Sequence, residues 1–170
     1  MNMDKVEYRQ FREEDAQDVL NVAKKAWNYT YKGIFRESFI EKYLIDYYSQ
    51  QALCKLLPEI EVRKQFFCVA VNNLGVIGYS HIAPREQIME LCRIYLLPEY
   101  IGKGIGRKLV ELGEEFIKSK GCRKYFCYLH KQNKTGKTFY IKSGFIHIPE
   151  KDLNTDEIED CHFYMEKIIE

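Results

Sequence analysis

The spacing of apolar positions changes several times along the chain, and each change marks an element. Val6, Tyr8 and Phe11 lie in a segment that reads as a first strand. Asp15, with Asp18 three residues on, stands where a helix N-cap is expected. Ala16, Val19, Leu20, Ala23, Ala26 and Trp27 then recur at steps of one, three and four, the stripe of an amphipathic helix. Residues 37–57 carry a looser helical pattern and are expected to form two short pieces. The period then shortens. FFCVAVNN is an apolar run closed by a turn signal, and the segment from Gly75 to Ile82 resumes as its hairpin partner. A further run, Ile88 to Leu97, stops at Pro98. A second helical stripe of Ile105, Leu109, Leu112 and Phe116 runs to Gly121, a residue suited to the position just past a helix end. Residues 123–130 read as a strand, Lys134 to Ser143 as a short helix closed by Gly144, and 145–148 and 161–168 as two final strands. This order predicts an α/β (α+β) fold around a sheet of six or seven strands.

Composition narrows the function. No repeat, low-complexity stretch or Pro/Gly-rich linker divides residues 1–170, so one domain is expected. Hydrophobic residues make up 46% and charged residues 30%, which excludes a disordered, highly charged tail protein. Lys plus Arg number 26 against 25 for Asp plus Glu, a net charge of +1. A general binder of nucleic acid backbones carries a more basic balance, so no nucleic-acid partner is expected. The six cysteines contain no C-x-x-C pair, and most have apolar neighbours, so core thiols are expected rather than a metal site or disulfides. The N-terminal stretch MNMDKVEYRQFREED has no apolar segment of a secretion signal, and no run has the ~18 apolar residues of a membrane span. A cytoplasmic protein without a membrane partner is the expectation.

The candidate chemistry lies in Gly102-Lys103-Gly104-Ile105-Gly106-Arg107, between a strand and a helix. The first N–H groups of a helix lack intrahelical acceptors and sit at the positive end of its dipole. Glycines let a phosphate approach that backbone, so the loop suits a pyrophosphate. It is not a Walker A loop, because no Gly-Lys-Ser/Thr follows, and it is not G-x-G-x-x-G, because position 109 is Leu.

The stretch from Leu91 to Leu109 resembles the acetyl-coenzyme A signature of the GNAT N-acetyltransferases. A second motif of that family is present in order, from Asn133 to Phe-Tyr140-Ile-Lys-Ser-Gly144-Phe145. Within the family, Trp27-Asn-Tyr-Thr-Tyr-Lys-Gly-Ile34 is similar to PaiA-type polyamine acetyltransferases. One position departs from the family pattern: the Gln/Arg before the glycines falls on Glu99 or Ile101, depending on register.

The resemblance implies a GNAT fold, a mixed six- or seven-stranded sheet with helices on both faces and a cofactor cleft where the fourth and fifth strands splay. Acetyl-CoA would be held by the backbone of Ile94, Tyr95 and Leu96, by residues 102–107, and by Asn133 and Tyr140 from the other side. Tyr140 would act as general acid to the departing thiolate, a phenol being close to a thiol in pKa. Glu90, on the fourth strand, is the candidate general base, with a salt bridge or an exposed strand position equally open; His81 is the weaker alternative, a strand His being more often a packed polar residue. Trp27, Tyr29, Tyr31 and Phe35, with the acids Glu37, Glu41 and Asp46, would form an aromatic and acidic mouth for a polycation, or else the aromatics pack the helices and the acids face solvent. The activity implied is acetyl transfer to a primary amine, a polyamine such as spermidine or spermine. A protein N-terminus or lysine as acceptor, or a non-catalytic acyl-CoA module, remain alternatives, as do monomer and homodimer.

Overall fold

A computed structural model describes residues 5–155, 157 and 161–170 of the chain, and in it the changes of apolar period become changes of element. Strand β1 (Glu7–Gln10) is followed by helices α1 (Ala16–Tyr31), α2 (Glu37–Tyr48), α3 (Gln50–Cys54) and α4 (Leu57–Glu61). Strands β2 (Phe66–Asn72), β3 (Gly75–Arg85) and β4 (Ile88–Leu96) form a meander before α5 (Ile105–Ser119). The chain closes with β5 (Lys124–His130), α6 (Lys134–Lys142), β6 (Ile146–His147) and β7 (His162–Ile168). The strands make one seven-stranded sheet in the order β1-β2-β3-β4-β5-β7-β6, antiparallel except for β4 and β5.

Alternation along β2 explains why it reads as an unbroken apolar run. Phe67 and Val69 join the core under α1–α4, while Cys68 and Ala70 join the core under α5 on the opposite face. A strand covered on both faces has no polar side to show. On the α5 face, Leu109 and Ile117 are fully buried, and a Cβ at Gly113 would collide with Ile82 Cδ1, so α5 lies close on the sheet. Truncating a buried leucine such as Leu109 to Ala is worth about 2–5 kcal/mol.

Three local expectations are corrected. Asp15 does not cap α1, because a 3-10 turn over Glu13–Asp15 already leads into the helix. Its carboxylate turns back instead, accepting the Arg12 N–H at 2.8 Å and both terminal nitrogens of Arg9 at 2.7 Å. The region 37–57 does break into two helices, at Ser49, whose hydroxyl accepts the Ala52 N–H. It is followed by an unforeseen third, α4, which buries only Ile60 and so leaves no periodic stripe. Only Cys68 and Cys127 are core thiols; the other four cysteines are half-buried, and all six are unpaired.

Two irregularities open the sheet where the site lies. His81 pairs with Arg93 but Ile82 with Leu91, so Cys92 is an extra residue that bulges β4. Beyond the pairs Met89–Tyr125 and Glu90–Phe126, the parallel strands β4 and β5 no longer pair, and their remaining lengths diverge. The helices on both faces and the β4/β5 splay match the expected architecture.

Candidate active site

The splay is occupied by a cavity of about 390 Å³. It is lined from both faces of the sheet, by Tyr95 and Arg93 toward α1 and by Ile94 and Leu96 toward α5.

On the α5 side, Pro98 and a 3-10 turn end the strand and lead into the glycine loop. Gly102 and Gly104 both have φ of +82°, a left-handed conformation that other residues adopt only with strain. No atom lies within 4 Å of where their Cβ atoms would be, so conformation, not crowding, selects glycine here. The first intrahelical bond of α5 runs from Lys108 N–H to Gly104 O at 3.1 Å. The amides of Ile105, Gly106 and Arg107 precede it, without intrahelical acceptors and facing the open loop. Across the cleft, α6 starts at Asn133, whose side chain accepts the Gly136 N–H at 2.8 Å and donates to the Tyr31 hydroxyl at 3.5 Å. The same helix carries Tyr140, 8% exposed, whose phenol is pushed well above its usual pKa by burial and then by the Cys127 thiol beside it. Tyr140 therefore stays protonated over the whole neutral range, and the same shift makes it a weaker acid than the thiol-matched phenol expected from the sequence.

Of the residues expected to hold the cofactor, Ile94, Tyr95, Leu96, Gly102, Gly104, Gly106, Arg107, Asn133 and Tyr140 line this cavity. Lys103 and Ile105 do not. The exposed Lys103 ammonium lies over the Tyr100 ring at 4.8 Å, and the Ile105 side chain is packed against the sheet, leaving Ile105 only its backbone to contribute.

The expected acceptor mouth is mostly not at the cavity. Tyr31 and Tyr29 line it, but Trp27 is buried, its ring 4.3 Å from Tyr43 and 4.6 Å from Tyr31, and Phe35 is stacked on Tyr31. These aromatics are the seam between α1 and α2. Glu37, Glu41 and Asp46 are exposed on α2 outside the lining, Asp46 paired with Lys42 at 2.5 Å. His81 is also outside it, buried, stacked on Phe67 at 5.2 Å and bonded through Nε2 to Gln65 at 2.7 Å. Burial, followed by the charges of Arg93 and Arg85, pushes its pKa down to about 3, so it is neutral. Glu90 lies on the cavity's strand but not in its lining; Arg85 Nε holds its carboxylate at 2.5 Å.

Residues not foreseen in the sequence stand at the cavity instead. Tyr128 on β5 and Cys92 and Arg93 at the bulge line its α1 side, and Phe139 and Lys142 of α6 its α5 side. Alternation in KYFCYLH puts Phe126 and Tyr128 on one face, a signal present in the sequence; the bulge that turns both Cys92 and Arg93 inward leaves none.

The acetyltransferase (GNAT) family model matches residues 25–145. The chain belongs to this family. It is 35% identical over 167 residues to a spermidine N(1)-acetyltransferase of Thermoplasma acidophilum, covering 95% of this chain and 96% of that protein. Among solved structures, PaiA N-acetyltransferase from Thermoplasma acidophilum, in complex with coenzyme A, superposes with a TM-score of 0.85 at 33% identity. That likeness covers 96% of this chain and 99% of the other. Ard1 from Thermoplasma volcanium, at 16% identity and a TM-score of 0.70 over 97% of this chain and 98% of its own, shares the fold. The GNAT fold and the acetyltransferase activity implied by the two motifs are thus shown. Among the described residues no helix is long and apolar enough to cross a membrane, and no cluster of side chains is arranged to hold a metal.

Proposed function

We propose that the chain transfers acetyl groups from acetyl-coenzyme A to a primary amine of a polyamine such as spermidine or spermine. The observation that carries this reading is the cavity through the β4/β5 splay, which joins the glycine loop at one end to Tyr140 and Tyr128 further in. The identity to a spermidine acetyltransferase over nearly the whole chain supports the acceptor class.

When bound, acetyl-CoA supplies an acetyl group activated as a thioester. The amides at the start of α5 and the two left-handed glycines fit a pyrophosphate, with Arg107 adding charge beside them. The edge of β4 left free past Glu90 offers backbone groups at Ile94–Leu96 to an extended pantetheine arm, in the manner of an added strand. An amide there stabilises charge on the thioester oxygen as the amine attacks. Tyr140 then gives its proton to the departing sulfur as the C–S bond breaks; the nitrogen, acylated as the C–N bond forms, releases its second proton to solvent, from which Tyr140 regains one. The acceptor ammonium must lose a proton first. The Arg93 guanidinium in the cavity wall, one nitrogen of which is buried without a hydrogen-bond partner, favours the neutral amine. Glu90, on the same strand, takes the proton through water.

A thiol-release assay with spermidine, spermine, lysine and a panel of peptides tests the reading. The highest kcat/KM is expected for the polyamines. Turnover confined to peptides overturns the acceptor class, and no turnover on any amine with coenzyme A binding intact overturns the reaction.

A further inference from the structure

On the α1 face of the sheet, next to the cavity, three rings form a continuous floor across β5 and β7. Phe126 and Tyr128 are 5.5 Å apart, and Tyr164 lies 4.9 Å from the first and 5.6 Å from the second. Tyr128 belongs to the cavity wall, and Tyr164, its partner across the β5–β7 ladder, is one strand further out. Beside Tyr164, opposite Phe126, is Glu166, 8% exposed.

This floor already holds an ammonium. Lys151, in the 3-10 turn Pro149–Lys151 between β6 and β7, places Nζ 4.8 Å above the Tyr164 ring and 3.3 Å from Glu166 Oε2. The turn is fixed to Tyr164 itself. Ile148 N–H donates to Tyr164 O at 3.0 Å, and Tyr164 N–H donates to Asp152 Oδ1 at 2.9 Å. The Tyr164 hydroxyl and Lys124 reach the same Oε2 of Glu166, at 3.4 and 3.7 Å. Burial, then Glu166, push the Tyr164 phenol up to about 12, so it stays neutral and serves as a donor. A ring face with a buried carboxylate at its edge is the chemistry that recognises an alkylammonium, primary or secondary. The Lys151 side chain is nonetheless 48% exposed, free to leave if another cation replaces it.

We propose that Tyr164 and Glu166 form the seat for a second, non-reacting ammonium of the acceptor, and that Lys151 fills this seat until the acceptor displaces it. The proposal rests on the polyamine reading above. A monoamine has no second charge to place there, so its reaction does not use the seat. A polyamine crosses the aromatic floor from Tyr128 to Tyr164, its reactive nitrogen in the cavity and the next one over the Tyr164 ring. Removing Lys151 then removes a competitor, whereas removing the Glu166 charge removes the seat's counterion.

The test is the ratio of kcat/KM for spermidine to that for butylamine, measured for the wild type, Lys151→Ala and Glu166→Gln, with thermal midpoints to show that each folds. Lys151→Ala is expected to raise the ratio about three- to tenfold through the spermidine KM, and Glu166→Gln to lower it by about tenfold. A wild type that prefers spermidine while Lys151→Ala leaves the ratio unchanged or lowers it overturns the seat and spares the polyamine reading. A wild type that uses both amines equally overturns both.

Discussion

On the α5 side of the sheet the cavity presents main chain, in the two left-handed glycines, the first amides of α5 and the unpaired edge of β4, beside side chains such as Phe139 and Tyr140. On the α1 side it is walled by side chains, with Tyr31, Cys92, Arg93 and Tyr128 drawn from three separate elements. Main-chain recognition places conformational demands on the sequence, and glycine is among the few residues that meet them. Side-chain recognition places almost none, since many residues fit an alternating strand. The first half of the cleft is therefore written in a motif, and the second appears only when the sheet is assembled.

The largest expected effect breaks this comparison if it fails. Gly104→Glu forces a side chain into a left-handed conformation and sets a carboxylate beside the diphosphate position, and should weaken coenzyme A binding about 10³-fold. Gly104→Asn tolerates the conformation without the charge and should retain most of the affinity. Titration calorimetry reads both. A Glu variant that binds normally would show that the loop does not contact the pyrophosphate. Next in size is Tyr140→Phe, which removes the buried hydroxyl and nothing else. A fall in kcat of roughly 10²-fold is expected, with coenzyme A affinity unchanged. Unaltered turnover would leave Tyr140 as a packing residue of α6.

Legibility follows the same division. The glycine loop and Asn133 are readable because each combines a residue type with a helix boundary that favours it, and Tyr140 is readable only through the resemblance of its Phe-Tyr-x-x-x-Gly-Phe context to the family motif. Most helices and strands are readable from period alone. The short α4 is not, having one buried residue, and the sequence leaves the mouth open between two readings, since Trp27 and Phe35 look the same whether they line a pocket or seal two helices together. Only the ring stacking between Trp27 and Tyr43 decides it. Tyr164 and Glu166 lie nearly forty residues past Tyr128 in the chain, and only the β5–β7 register unites them.

His81 is the smallest and sharpest test, because the sequence offers it as an alternative general base and its surroundings make it a stability element. Its folded pKa, about 3, lies below the ordinary value of 6.5, so the native protein binds fewer protons than the unfolded chain between these limits. Stability from this group is complete above pH 6.5 and declines as the pH falls toward 3, by on the order of 1.4 kcal/mol per pH unit. His81→Asn sacrifices the stacking on Phe67, about 1 kcal/mol, and should be the less stable protein at pH 7.5. It has no imidazole to charge. Urea unfolding at pH 7.5 and at pH 5 should therefore show the gap between wild type and variant closing or reversing by roughly 2 kcal/mol as the pH falls. A gap that stays constant would mean that His81 is charged in the folded protein, and would return it to the acceptor side as a group with a proton to exchange.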